Sequence, residues 1–217
     1  MNLLALETST EACSVALQIG PRAWQQHLVT PQGHTRQLLP MVRALCAEAG
    51  VALTALDGLA VGIGPGAFSG VRIACAVAQG LAFALDLPIA PVSTLAALAR
   101  GGWRLTGDIE WLVATDARRA EVYWAAGTVV GAGTRVEWRA GERVAAPVYV
   151  EAPAVRGWRC AGSGWRVHGD DLPVPGAGPA LLLPEAQDVL ALGEAALAAG
   201  RGVTPDVLAP TYLRGAL

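Results

Sequence analysis

The chain has 217 residues, of which 53% are hydrophobic and 16% charged, with a formal net charge of −2. This length fits one large domain or two small ones, and the composition is too apolar for an intrinsically disordered protein. No apolar run reaches the roughly 20 residues that span a bilayer, and no basic leader opens the chain, so we expect a soluble, cytoplasmic protein without membrane contact. All 16 basic residues are arginine, which excludes a Walker-type phosphate loop and Schiff-base catalysis because both need a lysine.

The cysteines and histidines show no spacing typical of a metal site. The cysteines lie far apart and lack a Cys-x-x-Cys pair, which predicts buried, reduced thiols. They are Cys13, Cys46, Cys75 and Cys160. The histidines, which are His27, His34 and His168, have no partner three or four positions away. We therefore expect no metal site.

The first 19 residues predict a β-hairpin that recurs later in the chain. Residues 3–6 are typical of a buried strand, 7–11 of a polar turn and 13–19 of a returning strand. The same order recurs at residues 111–125, and each copy has a carboxylate, Glu7 or Asp116, where the first strand meets its turn. This duplication predicts two related α/β domains. Because Gly101 and Gly102 break a helical pattern, we place the domains at 1–103 and 104–217.

Two helices are predicted in the first domain. Residues 38–49 have helical spacing, although Pro40 indicates a kink or a start near Leu39. A second helix, with Ser69 as its N-cap, follows the glycine-rich loop 62–70 and runs to about Leu85. Between Ile73 and Leu85 its one polar side chain is Gln79. A helix without a polar face must be covered on every side, either within its own domain or by another protein.

Of these two alternatives we favour helix-on-helix association with another protein, since a small domain cannot easily cover both sides of one helix. Two rows of small residues, Ala74-Ala78-Ala82 and Ala76-Gly80-Ala84, would let a second helix approach closely. The predicted interface comprises Leu38, Met41, Val42, Leu45, Ile73, Ala74, Val77, Ala78, Leu81 and Ala82. Without a partner, the chain is expected to form a symmetric homodimer through the same surface.

Two further stretches each leave alternatives open. The loop 62–70 could bind a phosphate at a helix N-terminus, but it lacks a diagnostic motif and is equally consistent with a tight turn. Residues 103–166 combine arginines with tryptophans, which is typical of a solvated sheet face and also of an RNA-contacting surface. No serine stands in a Gly-x-Ser-x-Gly elbow, so we predict no catalytic serine.

In combination, several segments resemble one known family across nearly the whole chain. They are 4–17 (LALETSTEACSVAL), 34–40 (HTRQLLP), 64–73 (GPGAFSGVRI), 78–82 (AQGLA), 92–95 (VSTL), 116–118 (DAR), 121–125 (EVYWA) and 210–214 (PTYLR). The resemblance is to the TsaB family, formerly called YeaZ, of bacterial tRNA threonylcarbamoyladenosine synthesis. It implies an actin-like, sugar-kinase/Hsp70-type duplicated fold with a mixed sheet and packed helices in each domain.

The resemblance also implies a subunit without catalytic residues of its own. The catalytic paralogue TsaD has a metal-binding histidine pair that falls here on Thr94 and Leu98, neither of which can replace an imidazole as a metal ligand. The implied partners are TsaD, the ATPase TsaE and, through the complex, tRNA. The chain would have no cofactor of its own, with ATP or ADP at the interface with the partner. Candidate nucleotide-proximal residues are Glu7, Thr8, Ser9, Gly64, Gly66 and Asp116.

A small actin-fold kinase or ATPase is the alternative function. Actin-like folds often hold nucleotide between their domains, with carboxylates such as Glu7 and Asp116 near the metal. Against it stand the single carboxylate in each hairpin and the absence of a lysine to meet the phosphates.

Overall fold

The structure, a computed structural model, describes residues 1–30, 32–153, 157–173 and 183–214. Its strands are β1 (Leu3–Glu7), β2 (Ala12–Ile19), β3 (Arg22–Val29), β4 (Gly58–Gly62), β5 (Ile89–Val92), β6 (Glu110–Arg118), β7 (Glu121–Val130), β8 (Arg135–Ala145) and β9 (Arg159–Ala161). Its helices are α1 (His34–Ala49), α2 (Phe68–Leu85), α3 (Thr94–Thr106), α4 (Gly164–His168) and α5 (Ala186–Ala198). The chain forms two units: Met1–Thr94 with Glu185–Thr211, and Leu95–Pro184 with Tyr212–Leu217.

The first unit is built on a five-stranded sheet with the order β3-β2-β1-β4-β5. β1 pairs antiparallel with β2, as the sequence predicts, and parallel with β4. The edge strand β3, which the sequence pattern did not predict, extends the hairpin from β2. Along each strand, alternate residues point to opposite sides of the sheet, so both sides need a covering layer.

Helices α1 and α2 cover one side of this sheet and close the larger core. α1 begins at His34, six residues before Pro40, so the proline lies inside the helix. α2 begins at Phe68 with Ala67 as its N-cap, which corrects the prediction that Ser69 caps it. Among the described residues, α2 alone is long and apolar enough, by length and composition, to cross a membrane, although no such span was expected from the sequence.

The last helix, α5, packs on β1, β2, β4 and β5 and thereby belongs to the first unit. Gly193 lies so close to β4 that an added Cβ would stand 2.3 Å from the Cβ of Ala60. Because Ala60 alternates with Leu59 and Val61, which face α1 and α2, α5 covers the opposite side of the sheet. The two units therefore differ from the predicted domains 1–103 and 104–217.

The second unit repeats the order of the first. Its four strands are ordered β8-β7-β6-β9, with β6 antiparallel to β7 and parallel to β9. This matches β3-β2-β1-β4 strand for strand, so the predicted actin-like duplication is confirmed. α3 packs Leu95 and Leu98 against the buried Trp111 on one side of the sheet.

Gly101 and Gly102 lie inside α3 and do not end it. A Cβ at Gly102 would stand 2.4 Å from the Trp111 ring, so glycine is required here because the indole packs directly against the helix backbone. The sequence alone cannot distinguish such a contact from a helix break, and this is why the predicted boundary was placed too late in the chain.

Candidate functional site

The end of β1 carries a buried polar cluster of Glu7, Ser9 and Thr94. Glu7 and Thr94 are fully buried and Ser9 is 1% exposed. Glu7 Oε1 accepts hydrogen bonds from the Ser9 backbone N–H at 2.6 Å and from Ser9 Oγ at 2.5 Å. Thr94 Oγ1 lies 2.9 Å from Ser9 Oγ and 3.2 Å from Glu7 Oε2. The three side chains thus form a closed ring of hydrogen bonds.

A count of the hydrogens in this ring favours a protonated Glu7. Ser9 and Thr94 have one hydroxyl hydrogen each. Ser9 Oγ is placed to donate to Glu7 Oε1, and Thr94 Oγ1 to donate to Ser9 Oγ or to Glu7 Oε2. Two hydrogens cannot serve all three contacts fully, and a protonated Glu7 would supply a third. Burial acts in the same direction, because it raises the pKa of Glu7 above its ordinary value although the hydrogen bonds from Ser9 and Thr94 lower it.

The glycine-rich loop after β4 packs directly on this cluster. A Cβ added to Gly62 would lie 2.0 Å from Glu7 Oε2. A Cβ added to Gly66 would lie 2.3 Å from the Ser9 carbonyl oxygen, and one added to Gly70 would lie 2.0 Å from the Thr8 carbonyl oxygen. Thr8 Oγ1 also donates to the Gly70 carbonyl at 2.7 Å. The loop therefore acts here as a tight packing turn, and it leaves Glu7 no exposed atom for a metal or nucleotide.

The other candidate nucleotide-proximal residues are also held by the protein. Gly64 is buried at a positive φ of 95°, and its carbonyl accepts the Thr94 backbone N–H. Asp116, the counterpart of Glu7 in the second unit, accepts hydrogen bonds from Arg118 Nη1 at 2.9 Å and from the Arg118 backbone N–H at 3.0 Å. Its Oδ1 lies 3.4 Å from His168 Nε2. This arrangement fixes the turn between β6 and β7.

The cysteines lie where the sequence predicts. All four are buried free thiols. Burial raises the pKa of Cys13 and of Cys75 to about 11. Such thiols are inert at neutral pH. Within the described ranges, no three His, Cys, Asp or Glu side chains are grouped so that they could hold a metal ion.

Most of the predicted interface residues lie in the core of the first unit, which corrects that prediction. Exposed fractions of 0–6% leave these side chains no surface for a partner: Leu38, Met41, Val42, Leu45, Ala74, Ala78 and Ala82. The remaining three, Ile73, Val77 and Leu81, are partly buried against the same core. Both sides of α2 are apolar, so periodicity could not show which row of small residues faces the sheet. The row Ala74-Ala78-Ala82 does.

The other side of α2 forms an apolar surface, which we call the outer face. Its exposed residues are Arg72, Ala76, Gly80, Phe83 and Ala84, and the side chain of Phe83 is 85% exposed. An added Cβ at Gly80 would meet no atom within 4 Å. On the neighbouring α1, Leu39 and Pro40 are exposed as well.

Five of the eleven arginines of the second unit form described ion pairs with carboxylates. The described ion pairs are Arg118–Asp116, Arg135–Glu137, Arg139–Glu110, Arg159–Asp108 and Arg214–Glu121. Beneath them, Trp111, Trp124 and Trp158 are buried. These contacts fit a solvated sheet face with tryptophans below it better than a basic surface for RNA.

Comparison with known proteins places the chain in one family. The family model described as "TsaD: tRNA N6-adenosine threonylcarbamoyltransferase" matches residues 28–200. The tRNA threonylcarbamoyladenosine biosynthesis protein TsaB of Escherichia coli is 38% identical, over 99% of this chain and 95% of its own length. The protein of the same name from Haemophilus influenzae is 34% identical over 99% and 94%.

A solved structure agrees over the same extent. YeaZ from Pseudomonas aeruginosa has a TM-score of 0.90 and 45% sequence identity, over 98% of this chain and 99% of its own. The duplicated sheet order, the buried Glu7 cluster and the glycine-rich turn thus occur in a chain that is similar to these proteins from end to end. The chain belongs to the TsaB (YeaZ) family.

Proposed function

We propose that this chain is a non-catalytic subunit in tRNA threonylcarbamoyladenosine synthesis that docks on a TsaD-like partner through the outer face of α2. With a TsaE-like ATPase, the pair would transfer threonylcarbamoyl to N6 of adenosine 37 in the cytoplasm. tRNA would be bound through the complex, and any ATP or ADP would lie at the interface with the partner. Family membership supports the pathway, and the outer face supports the docking mode.

The observation that carries the docking mode is Gly80. Glycine in a helix interior costs about 1 kcal/mol relative to alanine. No contact within the chain requires glycine at this position, because the space next to its backbone is open. Close approach of another helix gives a reason for it, since small residues allow axes within about 8 Å. Phe83, 85% exposed three residues later, supplies the large apolar side chain that such interfaces use as an anchor.

A non-catalytic role agrees with the surroundings of Thr94 and Leu98. The Thr94 hydroxyl is engaged with Ser9 and Glu7, and Leu98 is fully buried against Trp111. Neither position offers a ligand for a metal. The burial of Glu7 likewise opposes the alternative kinase, because a carboxylate that binds metal–nucleotide must be accessible and ionised.

The test is a single charge on the outer face. Gly80→Glu places a carboxylate at the centre of the proposed interface, so we expect partner affinity to fall about 100-fold. Formation of the modified base by the reconstituted partners should fall with it. The chain alone, supplied with threonylcarbamoyl-adenylate and tRNA, should form none.

The matched control is Gly141→Glu. Gly141 also has open space around an added Cβ, but it lies on β8 in the second unit. It should leave capture of the partner and base modification unchanged, and both variants should keep the wild-type melting temperature within a few degrees. Wild-type affinity in Gly80→Glu would show that docking uses another surface.

A further inference from the structure

The turn between β6 and β7 has a backbone that its residues do not favour. Arg118, Arg119 and Ala120 have positive φ angles of 63°, 56° and 55°. Arg118 pairs with Glu121 after a register shift, so Arg119 and Ala120 form a two-residue hairpin loop next to a bulge. Loops and bulges of this kind usually have glycine or asparagine at positive φ, because a Cβ is unfavourable there. Contacts from outside the turn must therefore hold this conformation.

Two side chains provide such contacts. Asp116 accepts hydrogen bonds from the backbone and the guanidinium of Arg118. Arg214, near the C-terminal end of the chain, donates from Nη2 to the Ala117 carbonyl at 3.1 Å and to the Arg118 carbonyl at 3.3 Å. Its Nε donates to Glu121 Oε2 at 3.0 Å. One guanidinium thus binds both strands of the hairpin, before and after the left-handed residues.

Arg214 lies at the end of a segment, residues 205–214, which we call the strap. All ten of its residues are described, and none lies in a helix or strand, so its side-chain and backbone contacts fix its path. The first anchor is Gln79 on α2, whose Nε2 donates to the carbonyls of Pro205 at 3.0 Å and Leu208 at 3.1 Å. The Leu208 side chain is buried in the core of the first unit.

The anchors of the strap follow one another closely in sequence. After Leu208, the Thr211 N–H donates to the Ile63 carbonyl at 2.8 Å, and two residues separate Thr211 from Arg214. The chain passes from the first unit to the second after Thr211. Anchors on one segment support one another, because each one shortens the free tether and raises the effective concentration of the next group at its binding position.

We propose that the strap is a latch with two ends. Gln79 on α2 holds one end, and at the other end Arg214 keeps residues 118–120 in the left-handed conformation. Release of either end loosens the other, so the strap links a helix of the first unit to a turn of the second. Because two exposed arginines lie on that turn, the latch sets how they are presented. The latch goes beyond the proposed function and does not depend on it, since each of its contacts lies within the chain.

Hydrogen exchange tests the end at the turn. In Arg214→Ala, the amides of residues 118–121 should exchange at least about 5-fold faster, because the turn loses the contacts that hold it. The amides of β1 and β4 should keep their protection, which shows that the chain remains folded. The control is Arg135→Ala, which removes the exposed Arg135–Glu137 ion pair on β8 and should leave the turn unchanged. Unchanged exchange at the turn in Arg214→Ala would overturn the latch.

A turn that needs no latch separates this role from that of an ordinary ion pair. Arg119→Asn together with Ala120→Gly introduces the residues that two-residue hairpin loops favour at positive φ. In that background, Arg214→Ala should accelerate exchange at the turn less than about twofold. An ordinary ion pair would contribute equally in both backgrounds. Equal acceleration would therefore show that Arg214 does not hold the left-handed backbone.

Gln79→Leu tests the link between the two ends. It removes the first anchor without changing the second unit, and exchange at residues 118–121 should rise about 2–3-fold. Conversely, Arg214→Ala should accelerate the amides within the strap, because coupling is reciprocal. Gln37→Leu, at an exposed position on α1, is the matched control and should change neither. Wild-type exchange at the turn in Gln79→Leu, with α2 still protected, would overturn the link.

Discussion

At the scale of single residues, Glu7 shows how a carboxylate at the end of a strand becomes a structural group. In a nucleotide-binding hairpin a carboxylate at this position would be ionised and accessible. Here Gly62, Gly66 and Gly70 let the following loop close over it, and Ser9 and Thr94 supply its hydrogen-bond partners. A buried charge in this position would be costly, so the neutral acid is the form that the surroundings stabilise.

A neutral Glu7 makes stability fall as pH rises. The unfolded chain releases the Glu7 proton near the ordinary pKa of 4.5, whereas the folded chain, in which the pKa of Glu7 is raised, retains it to higher pH. The contribution of Glu7 is therefore complete below pH 4.5. As the pH rises from 4.5 to the pKa of Glu7 in the folded chain, this contribution to the free energy of unfolding falls by about 1.4 kcal/mol for each pH unit.

Glu7→Gln isolates this effect. The amide oxygen can accept from Ser9 and the amide nitrogen can donate to Thr94, so the ring of hydrogen bonds is kept without a titrating group. We expect urea unfolding to give near wild-type stability below pH 4.5, and an advantage for the variant that grows as the pH rises toward the pKa of Glu7 in the folded chain. Glu48→Gln, at an exposed position on α1, is the control and should follow the wild-type curve. Parallel curves for Glu7→Gln and wild type would contradict a neutral Glu7.

At the scale of elements, the sequence pattern predicted those whose signals are local. Both hairpins follow from alternating apolar strands and polar turns, and α2 was placed correctly except for its cap. The two rows of small residues on α2 were recognised, but the direction each one faces was not. That direction depends on where the sheet lies, and this is set by pairing between β1 and β4, about 55 residues apart in sequence.

The return of α5 to the first unit is another feature that local patterns could not predict. Gln79 offered a partial signal, as the one polar side chain in the apolar stretch of α2. In the structure its Nε2 donates to the carbonyls of Pro205 at 3.0 Å and Leu208 at 3.1 Å, which fastens the segment after α5. An isolated polar residue on such a helix indicates that backbone passes over it, but not which segment does so.

The start of α5 is capped by side chains from β2 and β3 rather than by its own N-cap residue. Ser14 Oγ accepts the Ala186 backbone N–H at 2.9 Å, and Gln25 Oε1 accepts the Gln187 backbone N–H at 2.9 Å. Glu185, the N-cap, makes no side-chain cap hydrogen bond. The first backbone N–H groups of α5 therefore find their hydrogen-bond acceptors only when the helix packs on the sheet.

Ser14→Ala should remove one cap of α5 and thereby loosen its first turn on the sheet. It leaves the Ala186 N–H buried without an acceptor, at a cost of about 1–2 kcal/mol. Hydrogen exchange should accelerate in the first turn of α5 while the amides of β6 and β7 keep their protection. Ala44→Ser, on the exposed side of α1, serves as the control. Unchanged exchange at Ala186 in Ser14→Ala would show that the cap contributes nothing to docking.

At the scale of the whole molecule, the two units share a strand order but differ in charge. The first unit has five arginines and nine carboxylates, and the second has eleven arginines and nine carboxylates. The second unit is therefore only slightly basic, and its described ion pairs engage five of its arginines. Binding to nucleic acid depends on cations that can neutralise phosphates, and an arginine paired to a carboxylate must first give up that contact.

From this balance we expect the chain alone not to bind tRNA. In a mobility assay at about 0.1 M salt, it should cause no shift at micromolar concentration, whereas addition of the TsaD-like partner should produce one. Arg119→Ala and Arg143→Ala, at exposed positions of the second unit, should leave the affinity of the assembled complex unchanged. The opposite result would be a shift by the chain alone that weakens steeply with salt. If the salt slope of that binding fell by about 1 in Arg119→Ala, tRNA would bind the surface of the second unit. Because the outer face of α2 belongs to the first unit, Gly80→Glu should remove this chain from the shifted species and leave unchanged the shift that the partner produces alone.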